Sequence, residues 1–288
     1  MKWALLLVIQ LILCIALVVC LFCFPTAAHL GAEQGMAIFL DILLPYLLPY
    51  ILLTTWLFSI LNSVKSSPNV NFFISYITSA IGGYPVGAIT SATLLEQGVI
   101  SKKQAQWLLP FLHSPNPFFV INFVGRDLLG NLSFSIYYLI LHHSICSVCA
   151  YIIFKKGNTK KTLRAEQASF QLIIDKTATT LITVAVTIIF FSCLSFIAVE
   201  LLRDHVTTTA LAFIIGSLEL TNGLQFAHEI LNPAFLPLYF AFLLSAQSIS
   251  IHLQIAAVTA NTSLSLNPYM LVRIIYTVLF TVLFYIIL

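Results

Sequence analysis

The run Ile81-Gly82-Gly83-Tyr84-Pro85-Val86-Gly87 breaks an apolar segment in the first half of this chain, and Phe111-Leu112-His113-Ser114-Pro115-Asn116-Pro117 breaks the next one. The second half carries a matching pair. Ile215-Gly216-Ser217-Leu218-Glu219-Leu220-Thr221-Asn222-Gly223 is followed by Phe242-Leu243-Leu244-Ser245-Ala246-Gln247-Ser248, and the two Phe-Leu-x-Ser runs align. Backbone freed by such a break survives at membrane depth only where protein or a water-filled cavity satisfies it. Interrupted apolar segments at corresponding places of two halves therefore point to the binding site of a carrier.

Composition places the chain in a bilayer. Of its 288 residues 60% are hydrophobic and 8% charged, with a mean hydropathy of +1.01, too little polar surface for a water-soluble globule of this size. The net charge is only +3, and the basic residues sit mainly in connecting loops. They report orientation and give no case for nucleic-acid binding. The six cysteines (14, 20, 23, 146, 149 and 193) all lie in apolar runs and form no disulfide framework. The apolar stretch from Ala4 to Phe24 exceeds the roughly 7–15 residues of a signal-peptide core and matches the roughly 20 that span, so a retained anchor is expected.

Apolar spans are expected near residues 4–24, 36–62, 106–124, 131–154, 178–201, 235–259 and 268–287, with the Gly-broken segments near 72–97 and 206–228 between them. Lys2, Lys65, Lys102, Lys103, the cluster Lys155, Lys156, Lys160, Lys161, Arg164, and Lys176 belong on the cytoplasmic side by the positive-inside rule. If Lys65 and Lys102 share a face, the segment between them enters and leaves by it. The expected architecture is thus an all-α polytopic membrane protein of about seven spans plus two re-entrant hairpins in an inverted-topology repeat. Its parts are an N-terminal anchor (1–30), a first gate-like repeat (31–155), a cytoplasmic linker (156–176) and a second repeat (177–288), with a cytoplasmic N-terminus. That bookkeeping takes Arg273 to reach the inner surface.

The motifs carry a family resemblance. Gly82-Gly83-Tyr84-Pro85-Val86-Gly87-Ala88, through Leu95-Glu96-Gln97-Gly98 and Ser101-Lys102-Lys103-Gln104-Ala105 to Ser114-Pro115-Asn116-Pro117, resembles the YlbJ-like sporulation integral membrane proteins. Leu218-Glu219-Leu220-Thr221-Asn222-Gly223 and Ser248-Ile249-Ser250-Ile251-His252-Leu253-Gln254 resemble that family's second-half motifs, and the whole resembles nucleoside-recognition, or gate, domains. The resemblance covers roughly residues 36 to 280. It implies transport, the sporulation member being associated with dipicolinic acid moving toward the forespore, and in a spore former a place in the mother-cell-derived forespore membrane. This chain is shorter than that member, which leaves room for a different small solute.

Glu219 is the sharpest single residue. An acid among Ile214, Ile215, Leu218 and Leu220 costs about 2.5–3.5 kcal/mol at mid-bilayer on insertion scales, and such carboxylates are functional candidates. It would bind a coupling proton or cation; the alternative is a structural carboxylate capping a helix with Thr221 and Asn222. Gly82, Gly83, Pro85 and Gly87, with Tyr84, either make a turn or bring backbone N–H groups to an anion. Ser114 and Asn116, mirrored by Gln247, Ser248, Ser250, His252 and Gln254, are too polar for lipid. They contact a solute or hydrogen-bond between helices.

Other chemistry finds little footing. His142, Cys146 and Cys149 share a helical face but lack a fourth ligand. His228-Glu229-Ile230-Leu231-Asn232 lacks the second His of a zinc-protease helix, and no P-loop or G-x-S-x-G occurs. No enzyme activity, cofactor or resident metal is expected. The partners expected are a small solute, a coupling proton or cation, the lipid bilayer and, by analogy with gate carriers, a second copy of the chain. A metal-ion or nucleoside gate and a non-transporting sporulation assembly factor are the competing readings.

Overall fold

The computed structural model describes residues 2–63, 67–156 and 168–288, and among them every regular element is a helix. Lys65, Lys160, Lys161 and Arg164 lie outside the described residues. The order is α1 (Lys2–Cys23), α2 (Pro25–Ala37), a π-helical segment (Ile38–Leu43), α3 (Leu44–Ser63), α4 (Pro68–Gly82), α5 (Val86–Glu96), α6 (Lys102–Leu112), a second π-helical segment (Phe119–Leu128) and α7 (Leu132–Lys155). It continues with α8 (Phe170–Leu202), α9 (Thr208–Leu218), α10 (Leu220–Ile230), α11 (Leu236–Ala246), α12 (Ile249–Thr259) and α13 (Asn267–Ile287).

Five stretches among the described residues are long and apolar enough to cross a membrane: Pro25–Leu61, Leu132–Lys155, Phe170–Leu202, Leu236–Thr259 and Asn267–Ile287. Their outer faces carry large exposed aliphatic side chains, such as Ile182 and Val186 on α8 and Ile274 and Val278 on α13. Contiguous apolar surface on this scale needs lipid or protein over it. The chain is thus all-helical and compatible with a multi-pass membrane protein.

The helix starts are written locally. Ser101 accepts from the Gln104 N–H while the Gln104 side chain accepts from the Ser101 N–H, a reciprocal cap at α6. Ser67, Asn131, Ser169 and Thr207 cap α4, α7, α8 and α9 in the simpler way.

The anchor expected over residues 1–30 resolves into α1 and the first turns of α2. From Pro25 the chain is already packed on α8, where a Cβ at Gly31 would stand 2.6 Å from the Cys193 Cα and one at Gly35 would stand 2.7 Å from the Ile189 Cα. Small residues let the two backbones meet. The polar Glu33 and Gln34 in this stretch dilute its hydropathy, and Gln34 donates to Gln225 of α10 at 3.2 Å.

α8 is the 33-residue axis, about 50 Å long at 1.5 Å per residue. The main core runs from Leu181, Val184 and Ile188 of α8 to Tyr138, Tyr239, Phe240, Tyr269 and Phe280, the last five almost wholly buried. A smaller cluster at one end joins Phe72, Leu94, Leu108 and Phe154, the Phe72 and Phe154 rings stacking at 4.6 Å.

Candidate functional site

All four sequence breaks are helix breaks. α4 ends at Gly82 and α5 starts at Val86; α6 ends at Leu112 and the π-helical turn starts at Phe119; α9 and α10 meet at Glu219; α11 and α12 meet at Gln247 and Ser248. In the first and third the chain packs back on itself. Val86 covers Gly82, and a Cβ on Gly223 would run into the Gly216 Cα, so these glycines set how closely the paired half-helices approach.

The breaks converge. Tyr84 donates its hydroxyl to the Leu244 carbonyl at 3.2 Å, Asn116 donates to Ile81 O at 2.9 Å, and Gln247 donates to His113 O at 3.3 Å. Asn116 Oδ1 also accepts from Phe118 N at 2.8 Å and Phe119 N at 3.2 Å, capping the π-helical segment. A Cβ on Gly83, where φ is +72°, would stand 2.6 Å from the Asn116 Cβ, and one on Gly87 would strike the Leu112 carbonyl. The glycines thus serve close packing of one break on another. Gly83 N–H is taken up by Ser79 O and Val86 N–H by Gly83 O.

Between the breaks and the middle of α8 is a cavity of about 50 Å³, lined by Tyr84, Asn116, Glu219, Thr221 and Gln254 together with Leu43, Leu47, Phe119, Val184, Ile188, Leu220 and Ile251. That volume holds only a few waters. Glu219 is 2% exposed and its Oε2 accepts from Asn222 N at 2.7 Å, so the carboxylate caps α10 and lines the cavity at once. No ion pair neutralises it among the described residues, whose two pairs, His29–Glu33 and Arg203–Asp204, are exposed. Gln254 donates to Thr187 Oγ1 of α8 at 3.0 Å.

Five of the fifteen sequence candidates, Tyr84, Asn116, Glu219, Thr221 and Gln254, therefore share one cavity wall. The others do not line it. Gly82, Gly83, Pro85 and Gly87 form the turn behind Tyr84. Ser114 is buried in the neighbouring break. Asn222 turns its amide to Ser192 Oγ at 2.6 Å. Ser248 and Ser250 bond each other at 2.7 Å. His252 bonds the Tyr269 hydroxyl at 3.0 Å, which donates to Gln247 Oε1 at 2.7 Å.

Arg273 is placed otherwise than the charge bookkeeping assumed. It does not reach a surface: it is 2% exposed and lies where α6 and α11 end. Its Nη2 donates to Pro110 O at 2.7 Å and His113 O at 2.9 Å, and its Nη1 to Ser245 O at 3.4 Å. The Tyr269 and Tyr276 rings flank it, each 5.5 Å from the guanidinium carbon. Sequence reading passed over Arg273 because a lone arginine near the start of an apolar segment looks like a residue reaching to the interface. Its partners are some 30 and 160 residues away. His142 is engaged by Tyr276 OH at 2.6 Å and by Cys146 Sγ at 3.7 Å, and no group of three metal-binding side chains occurs among the described residues.

No protein family, curated protein or solved structure matches the chain.

Two larger cavities flank the central one along α8. One, of about 360 Å³, is lined by Ile173 and Lys176 of α8 with Thr54, Thr55, Ser59, Thr78, Thr90 and Thr93. The other, of about 470 Å³, is lined by Ser195, Val199 and Arg203 with Asn222 and Thr26. Ile173, Val184, Ile188, Ser195 and Val199 lie close in angle at 100° per residue, while Leu172 and Lys176 on one side and Phe196, Glu200 and Arg203 on the other carry the lining further round the helix.

Proposed function

We propose that the chain is a membrane carrier for a small polar organic solute, which passes along α8 and binds in the Glu219 cavity. The observation that carries this reading is the succession of three cavities along one helix, smallest where the helix breaks meet around Glu219, the one buried acid among the described residues. The Tyr84–Val86 turn separates the central cavity from the hydroxyl-rich one, and the Asn222–Ser192 contact lies between it and the other. Each is a candidate gate. Passage of anything larger than water requires the two gates to open in turn, as alternating access demands.

The arrangement is read as an inverted repeat. α4–α5 is one re-entrant hairpin and α9–α10 the other, entering from opposite faces, while α6 with its π-helical continuation and α11–α12 are the two broken spans. In support, α4–α5 lies against the cavity at the Lys176 end of α8, and α10 against those at its Arg203 end.

The lining chemistry favours one class of solute. A carboxylate, two amides, a threonine hydroxyl and a tyrosine face the space, and no cation does. Solutes that bring N–H or O–H donors suit it; a free dianion does not, because like charges repel strongly away from water. Dipicolinate, the solute that the family resemblance suggests, would therefore travel protonated or with a cation. A nucleoside, with ribose hydroxyls for Glu219 and a base for Tyr84 and Phe119, is the second reading.

The test is uptake of labelled dipicolinate and labelled uridine into proteoliposomes carrying wild type, Glu219→Gln or no protein. Flux of one solute in wild type, falling to the empty-vesicle level in Glu219→Gln, is expected. Wild-type flux equal to that of empty vesicles under proton, Na⁺ and K⁺ gradients would sink the carrier reading for both solutes.

A further inference from the structure

The Arg273 site is built like a cation site. Three backbone carbonyls converge on it, Pro110 O and His113 O at the end of α6 and Ser245 O at the end of α11. The last carbonyls of a helix have no intrahelical partner and carry the negative end of the helix dipole. Two such ends, from two broken helices, face each other across this point. In carriers with broken helices, unwound carbonyls and half-helix C-termini are what coordinate a free coupling cation. The two tyrosine rings at 5.5 Å add the negative faces of their π-systems.

No carboxylate pairs with the guanidinium among the described residues. A buried, permanently charged arginine is then held by carbonyls and rings alone. Among the described residues its Nε hydrogen has no partner, and neither ring nitrogen of the adjacent His113 has one. Arginine is thus used here as a planar charge whose N–H groups meet backbone carbonyls in place of an acid.

We propose that Arg273 is a tethered cation: its guanidinium occupies a carbonyl site between the broken helices α6 and α11 that would otherwise need a free monovalent ion. The closed packing of the four breaks is therefore independent of Na⁺ and K⁺. It is also lost when Arg273 is removed, unless another cation of the same shape enters.

Thermal melting of the purified full chain in detergent tests this at constant ionic strength in choline, Na⁺ or K⁺ chloride, with millimolar guanidinium added to one series. Wild type should melt at the same temperature in all three salts. Arg273→Ala should melt several degrees lower and recover saturably with guanidinium, while Arg273→Lys, which keeps a charge but not the planar fork, should fall between them. A saturable Na⁺ or K⁺ stabilisation of wild type that persists in Glu219→Gln overturns the proposal, as does an Arg273→Ala protein that melts like wild type or ignores guanidinium. If Arg273→Ala cannot be recovered folded, the salt series of wild type and Glu219→Gln decides alone. The melt needs no solute, so its failure leaves the carrier reading untouched, and failure of the uptake assay leaves this one untouched.

Discussion

Gln247 has φ 65° and ψ 166°, a conformation that a side-chain-bearing residue adopts at a cost of about 1–3 kcal/mol. Its two ends are held by His113 O and the Tyr269 hydroxyl, so the surrounding bonds fix the conformation. Gln247→Ala removes both bonds and keeps the strain, whereas Gln247→Gly removes both and relieves it. Melting of the two variants should put Gln247→Ala below Gln247→Gly, with both below wild type; the reverse order would mean that the backbone at 247 is not strained. The polarity of Gln247 was legible in the sequence, since an amide inside an apolar run stands out. Its backbone state was not, because no glycine or asparagine marks it. The same contrast separates Glu219 from Arg273. An acid in the middle of an apolar run announces itself, but an arginine near a segment's start gives no sign that its partners are carbonyls at positions 110, 113 and 245.

α8 reads in the sequence as one apolar span near 178–201, and it is longer, Phe170–Leu202, because Ser169 caps it and Asp175 and Lys176 sit on its exposed first turns. Hydropathy alone does not tell which of its faces meets lipid. Four of its threonines satisfy their hydroxyls on their own helix, among them Thr179 to Asp175 O at 2.8 Å and Thr183 to Thr179 O at 2.9 Å, and so mark no cavity. The cavities are lined from α8 by apolar residues such as Ile173, Val184, Ile188 and Val199 together with Lys176, Ser195, Glu200 and Arg203, a set that keeps to no single polar stripe, which is why periodicity could not find it. In a cysteine-free background reconstituted in lipid, a hydrophilic thiosulfonate should modify Ile173→Cys and Ser195→Cys several-fold faster than Ile182→Cys and Val186→Cys. The last two positions are 63% and 60% exposed in the isolated chain, yet hydrocarbon would surround them, and only a hydrated thiol ionises to the reactive thiolate. Faster reaction at 182 and 186 would place water on the opposite face and remove the basis for a pathway along α8.

Over the whole molecule, charge separates along the α8 axis. Gln104 at the start of α6 donates to Phe154 O at the end of α7 at 3.2 Å, which brings Lys102, Lys103, Lys155 and Lys156 together, and Lys176 shares a cavity with Gln97 at the same end. Arg203 lies about 40 Å from Lys176 along the helix, and Glu200 and Asp204 are beside it, so the far end is mixed in sign. If the lysine excess marks the cytoplasmic face, as the positive-inside rule has it, the hydroxyl-rich cavity is inside and the Arg203 cavity outside. The backbone agrees in sense. Ser59, near the end of α3, accepts from Ala168 N at 2.8 Å at the lysine end, while Thr26 at the start of α2 lines the cavity at the Arg203 end, so a membrane-crossing α1 would begin at the lysine end. Single cysteines at 103, 156 and 204 in the cysteine-free background separate the two orientations. With intact cells and a membrane-impermeant maleimide, Asp204→Cys should be labelled, while Lys103→Cys and Lys156→Cys should react only after permeabilisation. Labelling of 103 and 156 from outside would reverse the orientation. Labelling of only one of these two would break the shared end that the Gln104 bond implies, and with it the placement of α4–α5 as a hairpin entering and leaving by one face.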